Sequence, residues 1–164
     1  MASSAIKTRK VTDRRELRFG RMKDLLRDVE QLAAQGEVAA SGNWTPGQIV
    51  DHVTTLVDWS IDGFPDVKLS WPLRVIGGFM KDRALNRPMS PGFKVPGGLR
   101  QAVPAPSITW DEAVSHLRRT IHRIDEGLRM EQPSPLLGPL GHEQWEQLHC
   151  RHAEMHFSFL KVGG

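Results

Sequence analysis

Thr45-Pro46-Gly47-Gln48 and Thr109-Trp110-Asp111-Glu112 are one device used twice. In each, the threonine hydroxyl can accept the backbone N–H three residues on, while the Gln or Glu at that position reaches back to the threonine N–H. Both segments therefore read as helix starts. Pro46 strengthens the first, because the N–H it lacks would be unpaired in an opening turn anyway. Behind Thr45, the residues Ile49, Val53 and Leu56 mark a buried stripe that runs to about Ser60. Behind Thr109, the residues Val114, Leu117, Ile121, Ile124 and Leu128 keep a heptad seam. Two more stretches repeat at helical spacing. Asp13 to Gln35 holds Met22, Leu25, Val29 and Leu32, with Leu26 and Ala33 beside them and Gly36 as a stop. His142 to Val162 holds Trp145, Leu148, Met155 and Phe159. The sequence predicts an all-α fold of four long amphipathic helices and no strand.

Residues 61–108 lie between the second and third of these helices and contain 7 of the 11 prolines and 6 of the 15 glycines. Ser70-Trp71-Pro72, followed by Leu73, Ile76, Phe79 and Met80, predicts a short helix inside this stretch. Adjacent antiparallel helices need only a few linking residues, whereas parallel neighbours need a connection that travels back along the bundle. The length is therefore compatible with helices two and three running parallel, in an up-down-down-up order.

With 164 residues, 39% hydrophobic and 25% charged, the chain has the proportions of one ordinary globular domain, expected to span 1–164. No apolar run approaches the roughly 18 residues needed to span a bilayer, so no membrane partner is expected. The basic opening Met1 to Lys10 has no apolar segment behind it, which makes the cytoplasm the expected location. The single Cys150 excludes an internal disulfide and a Cys-rich zinc knuckle, so a metal site would have to draw on the seven histidines. A net charge of +3 is too small to imply nucleic acid. Basic charge does gather in residues 1–24 and 61–108, where it can meet an anion or simply solvent.

His152 and His156 form H-x-x-x-H, one helical turn apart, so both imidazoles project from one face and can reach a single ion. Both lie at the border of the apolar stripe, and an inward imidazole costs free energy unless its nitrogens are satisfied. His52 lies three residues after Ile49 and four before Leu56, on the core side of helix two. One ligand from that helix and two from the last would make a three-His set with open positions. His149 and His156 are roughly 10 Å apart along a regular helix, so His149 cannot join both others on one ion. The pair is either His149/His152 or His152/His156, and the i, i+4 spacing favours the second. His149 is then a candidate for a contact with the ligands or the substrate, against the plainer expectation of a partly exposed residue on the rim. His116 and His122 flank their seam and are expected in solvent, as are Asp51 and Asp58. His142 is expected in the capping region of the last helix. Cys150 reads as a packed or surface thiol, and the five tryptophans read as rings over the ends of the core.

Asn43-Trp44-Thr45-Pro46-Gly47-Gln48-Ile49-Val50-Asp51-His52 resembles the W-[ST]-P-x-x-[IVL]-x-x-H segment that opens helix two of DinB-like (YfiT-type) metalloenzymes. Trp145 through His152 and His156 is similar to their final-helix H-x-x-x-H. Arg14-Arg15-Glu16-Leu17-Arg18-Phe19, Trp71-Pro72-Leu73-Arg74 and Gly138-Pro139-Leu140 resemble an uncharacterised branch of that superfamily. The resemblance implies a four-helix bundle in the up-down-down-up order, often a homodimer. It also implies a divalent metal, zinc or nickel, on His52, His152 and His156. Some members join a low-molecular-weight thiol to an electrophile, and others are amide hydrolases.

Two functions compete on this reading. One is a metal-dependent transferase or hydrolase acting on a small molecule, with the ion generating a nucleophile near neutral pH. No residue stands out as a general base, and Glu154 points roughly 160° away from each of His152 and His156. The other is a non-catalytic helical module, for binding or stress response, whose histidines stabilise the bundle.

Overall fold

The computed structural model describes residues 6–65, 71–92 and 102–163, without the side chains of 71–76. Five helices dominate: α1 (Met22–Gln35), α2 (Pro46–Asp62), α3 (Trp71–Asn86), α4 (Trp110–Asp125) and α5 (His142–Phe157). A short 3-10 turn, Thr8–Lys10, precedes them. Two strands, β1 (Val38–Ala40) and β2 (Leu160–Val162), pair antiparallel with Val38 opposite Val162.

Both threonine boxes form as the sequence predicts. Thr45 Oγ1 accepts the Gln48 N–H at 3.2 Å, and Gln48 Oε1 accepts the Thr45 N–H at 3.0 Å. Thr109 and Glu112 repeat the arrangement at 3.3 and 2.9 Å. The two helix starts lie side by side: a Cβ on Gly47 would stand 2.7 Å from the carbonyl oxygens of Ile108 and Thr109. From there α2 and α4 advance together. Asp51 meets His116, Asp58 meets Thr120 and Arg123, and Asp62 meets Arg123, so these two helices run in the same direction. α5 runs against α2, with His156 near His52 and His149 near Ser60. The core is shared by α1, α2, α4 and α5, and its largest fully buried side chains include Leu25, Val53, Leu117, Met130 and Phe157.

The helix bounds differ from the sequence reading in three places. α1 starts at Met22, not at Asp13. The backbone before it spends its hydrogen bonds on α5 and the turn that follows: Phe19 N–H donates to Glu154 Oε1 at 2.6 Å and Arg15 N–H to the Ser158 carbonyl at 2.9 Å. Asp24 then accepts the N–H groups of Gly20 and Arg21 at 2.9 and 3.0 Å, which sets the start. α4 stops at Asp125, because Gly127 turns the chain at φ +101°, and Leu128 is left 39% exposed off the expected seam. α5 ends at Phe157, and Leu160–Val162 continue as β2, so the expectation of no strand fails. The β-branched Val38 and Val162 close that pair at one end, a local preference too short to show as alternation.

α3 confirms a helix within the crossover and carries it to Asn86. It turns Phe79, at 86% exposure, and Met80, two of the apolar residues that predict the helix, to solvent. Ser70, the side chains of Trp71, Leu73 and Ile76, the crossover residues 93–101, and residues 1–5 of the basic opening lie outside the described residues. Among the described residues no helix is long and apolar enough to cross a membrane.

Candidate metal centre

His52 occupies the second turn of α2, and His152 and His156 the last two turns of α5. Their ring centroids are 5.1 Å (His52–His152), 4.7 Å (His52–His156) and 4.5 Å (His152–His156) apart. One nitrogen from each ring lies within 4.8 Å of those of the other two. An ion about 2.0–2.1 Å from each nitrogen in tetrahedral geometry would hold such atoms about 3.3 Å apart, so closure requires up to about 1.5 Å.

The hydrogen bonding prepares these rings for a ligand. The Ala102 carbonyl, at the far end of the crossover, lies 2.6 Å from His52 Nδ1. A carbonyl can only accept, so in the neutral ring Nδ1 carries the hydrogen and Nε2 keeps its lone pair. This is the outer contact that fixes tautomer and orientation in histidine-metal sites. His152 Nδ1 is buried and has no partner among the described residues. A buried polar nitrogen without a partner is an uncommon and costly condition that a metal ion would relieve.

All three imidazoles are held neutral, the form a metal requires. Burial lowers the His52 pKa from its ordinary 6.5, partly offset by the Ala102 carbonyl. Burial, with repulsion from His52, takes His156 to about 3. Burial, then His156, His52 and His149 in turn, pushes His152 well below its usual range. Trp44 walls this cluster, its indole parallel to His156 (centroids 5.6 Å, 8°) and tilted against His52 (4.8 Å, 58°).

His149 lies elsewhere, and its expected exposure on the rim is wrong: it is 2% exposed, with burial taking its pKa to about 3. It stacks on Trp145 at 5.0 Å and pairs with Ser60 Oγ at 3.0 Å. The periodicity held the missed signal. The buried line of α5 is Trp145, His149, Cys150, Ala153 and Phe157, while Leu148 and Met155 are only partly buried. Leu56 is likewise half-buried, and Val50 and Val57 fill the core face of α2 instead.

His116, Asp51 and Asp58 are also not free in solvent. His116 Nδ1 meets Asp51 Oδ1 at 2.8 Å and Nε2 meets Asp58 Oδ2 at 2.7 Å, with Arg123 on the other Asp58 oxygen at 2.9 Å. The two carboxylates raise the His116 pKa to about 9. His122 is exposed as expected. His142 opens α5, where its Nδ1 accepts the Met130 N–H at 3.1 Å. Cys150 is buried, which raises its thiol pKa to about 12 and removes it as a nucleophile. Glu154 points away from the cluster and pairs with Arg151 at 2.6 Å.

Fold and site together define a helical protein with a partly buried three-imidazole cluster between two of its helices. Residues 11–162 match a family described as Protein of unknown function (DUF1569), and the chain belongs to that family. Comparisons with curated proteins and with solved structures each gave no match.

Proposed function

We propose that this chain is a divalent-metal-dependent enzyme of the DinB-like superfamily, acting on a small molecule, with His52, His152 and His156 as ligands to zinc or nickel. The observation that carries this reading is the convergence of three neutral imidazoles from two helices, one of which, His152, holds a buried and unpartnered Nδ1. The parallel run of α2 and α4 supports a single four-helix bundle in the up-down-down-up order, with α3 carried on the crossover. An ion in such a site lowers the pKa of a bound thiol or water and so supplies a nucleophile near neutral pH.

The residues around the cluster favour thiol transfer over hydrolysis. Hydrolysis commonly needs a general base close to the water. Among the described residues no carboxylate is hydrogen-bonded to the three imidazoles: Asp51 is committed to His116 and Glu154 to Arg151. Transfer of a low-molecular-weight thiol to an electrophile requires less of the protein, since the sulfur–carbon bond forms as the leaving group departs. The chain's part is to orient His52 through Ala102, keep the rings unprotonated and exclude water on the Trp44 side.

Metal analysis of untagged protein tests the reading. About one equivalent of metal is expected, lost in both His52→Ala and His156→Ala. Less than a tenth of an equivalent, unchanged by His52→Ala, would leave a helical module whose histidines serve only its structure. Screening thiols against alkylating electrophiles, and amides in parallel, then separates transfer from hydrolysis.

A further inference from the structure

We propose that Trp44 is a positioning residue of the metal centre, its indole holding the imidazoles of His52 and His156, which come from different helices, in the arrangement that ligates an ion. This rests on the reading of the three histidines as ligands.

Trp44 is fixed from both sides. It directly precedes Thr45, whose N–H is tied to Gln48 Oε1 at 3.0 Å. On its other side the Asn43 side chain clamps the main chain of Ile6, accepting its N–H at 2.7 Å and donating to its carbonyl at 2.8 Å. An apolar residue just before a helix cap ordinarily packs on the fourth helical residue, here Ile49, as a hydrophobic staple. A staple alone would not require the near-parallel, 8° stack on His156 together with the 4.8 Å approach to His52. The two tryptophans that stack on histidines among the described residues also differ. Trp145 anchors its Nε1–H on the Gln132 carbonyl at 2.9 Å, whereas Trp44 Nε1 makes no hydrogen bond among the described residues. Its ring faces are what hold it.

The contact also changes with metal loading. An imidazole bound to a dication loses electron density, and the face of an indole is electron-rich, so the stack is stronger in the loaded state than in the empty one. Only such a difference between states can raise affinity. Removing outer contacts of metal-bound histidines commonly weakens binding about 10–100-fold.

The experiment titrates cobalt(II) into the metal-stripped, untagged full chain and records both the visible ligand-field spectrum and the dissociation constant. Trp44→Phe keeps an aromatic face and is expected within about threefold of the native affinity, with the native spectrum. Trp44→Leu keeps apolar bulk without the face, and is expected to bind about 10–100-fold more weakly with an altered spectrum. Circular dichroism should show unchanged helix content. Native affinity and spectrum in Trp44→Leu would reduce Trp44 to a staple and overturn the proposal while leaving the ligand reading intact, as would equal losses in the Phe and Leu variants. Failure of the native chain to take up cobalt would instead overturn the ligand reading itself.

Discussion

The Ser60 hydroxyl fixes the tautomer of His149. Ser60 Oγ donates its one hydrogen to the Val57 carbonyl at 2.6 Å, so toward His149 it can only accept, and the nitrogen 3.0 Å away, Nε2, carries the hydrogen. This places a satisfied polar pair in the core between α2 and α5, below the three-imidazole cluster. A histidine at helical spacing from the clustered pair thus stands apart from the cluster and packs into the core.

Removing the acceptor tests that pairing. Ser60→Ala leaves a buried His149 N–H without a partner and is expected to lower stability by about 1–3 kcal/mol, read from urea unfolding. Metal content should not change, since Ser60 makes no contact with the cluster.

His116 between Asp51 and Asp58 makes stability depend on alkaline pH. Its pKa rises from 6.5 unfolded to about 9 folded. In that interval the native state binds more protons than the unfolded chain, so stability falls as pH rises. The contribution is fully present below about pH 6.5, is lost progressively toward and through pH 9, and should vanish in His116→Gln. Denaturation midpoints at pH 6, 7, 8 and 9, native against variant, measure this directly.

Arg151 and Glu154 are both buried, and they also bind Phe19: its N–H donates to Glu154 Oε1 and its carbonyl accepts from Arg151 Nη2, each at 2.6 Å. Arg151→Met strands an ionised carboxylate in the core and is expected to cost about 3–5 kcal/mol. The double variant with Glu154→Leu should recover much of that loss. Thermal unfolding of the three proteins distinguishes an uncompensated charge from lost packing.

Gly47 is the contact between the starts of α2 and α4. Gly47→Ala drives a methyl group against two backbone carbonyls at 2.7 Å, and backbone cannot rotate aside. A loss of about 1–3 kcal/mol is expected from the overpacking. A smaller loss would show that the two helix starts part easily.

Zinc at a thousandfold excess over its dissociation constant should stabilise the native chain by about 4 kcal/mol. The gain should be absent in His52→Ala. Calorimetric scans with and without the ion provide the check.

What the sequence disclosed followed from local chemistry. The Thr45 and Thr109 boxes are complete within four residues each, and His52, His152 and His156 declare their faces by spacing from neighbouring apolar residues. What it concealed depends on partners far along the chain. Asp13 to Gly20 looks helical but is drawn out by Glu154, Arg151 and the Ser158 carbonyl, more than 130 residues away. His116 looks solvent-facing until α2 brings Asp51 and Asp58 against it. Val162 looks like the end of a helix until Val38 pairs with it. The buried face of α5 lies one position from its apolar pattern, because the core encloses His149 and leaves the apolar Leu148 beside it partly buried.

The β1–β2 ladder joins α2 and α5 at the same ends that carry His52 and His156. Two rods riveted near their tips resist spreading beside the rivet, where the imidazoles sit. An ion arriving there would spend less of its binding energy on gathering scattered donors. The three residue pairs of that ladder act as the pivot of a pair of tongs whose jaws face each other across a short gap.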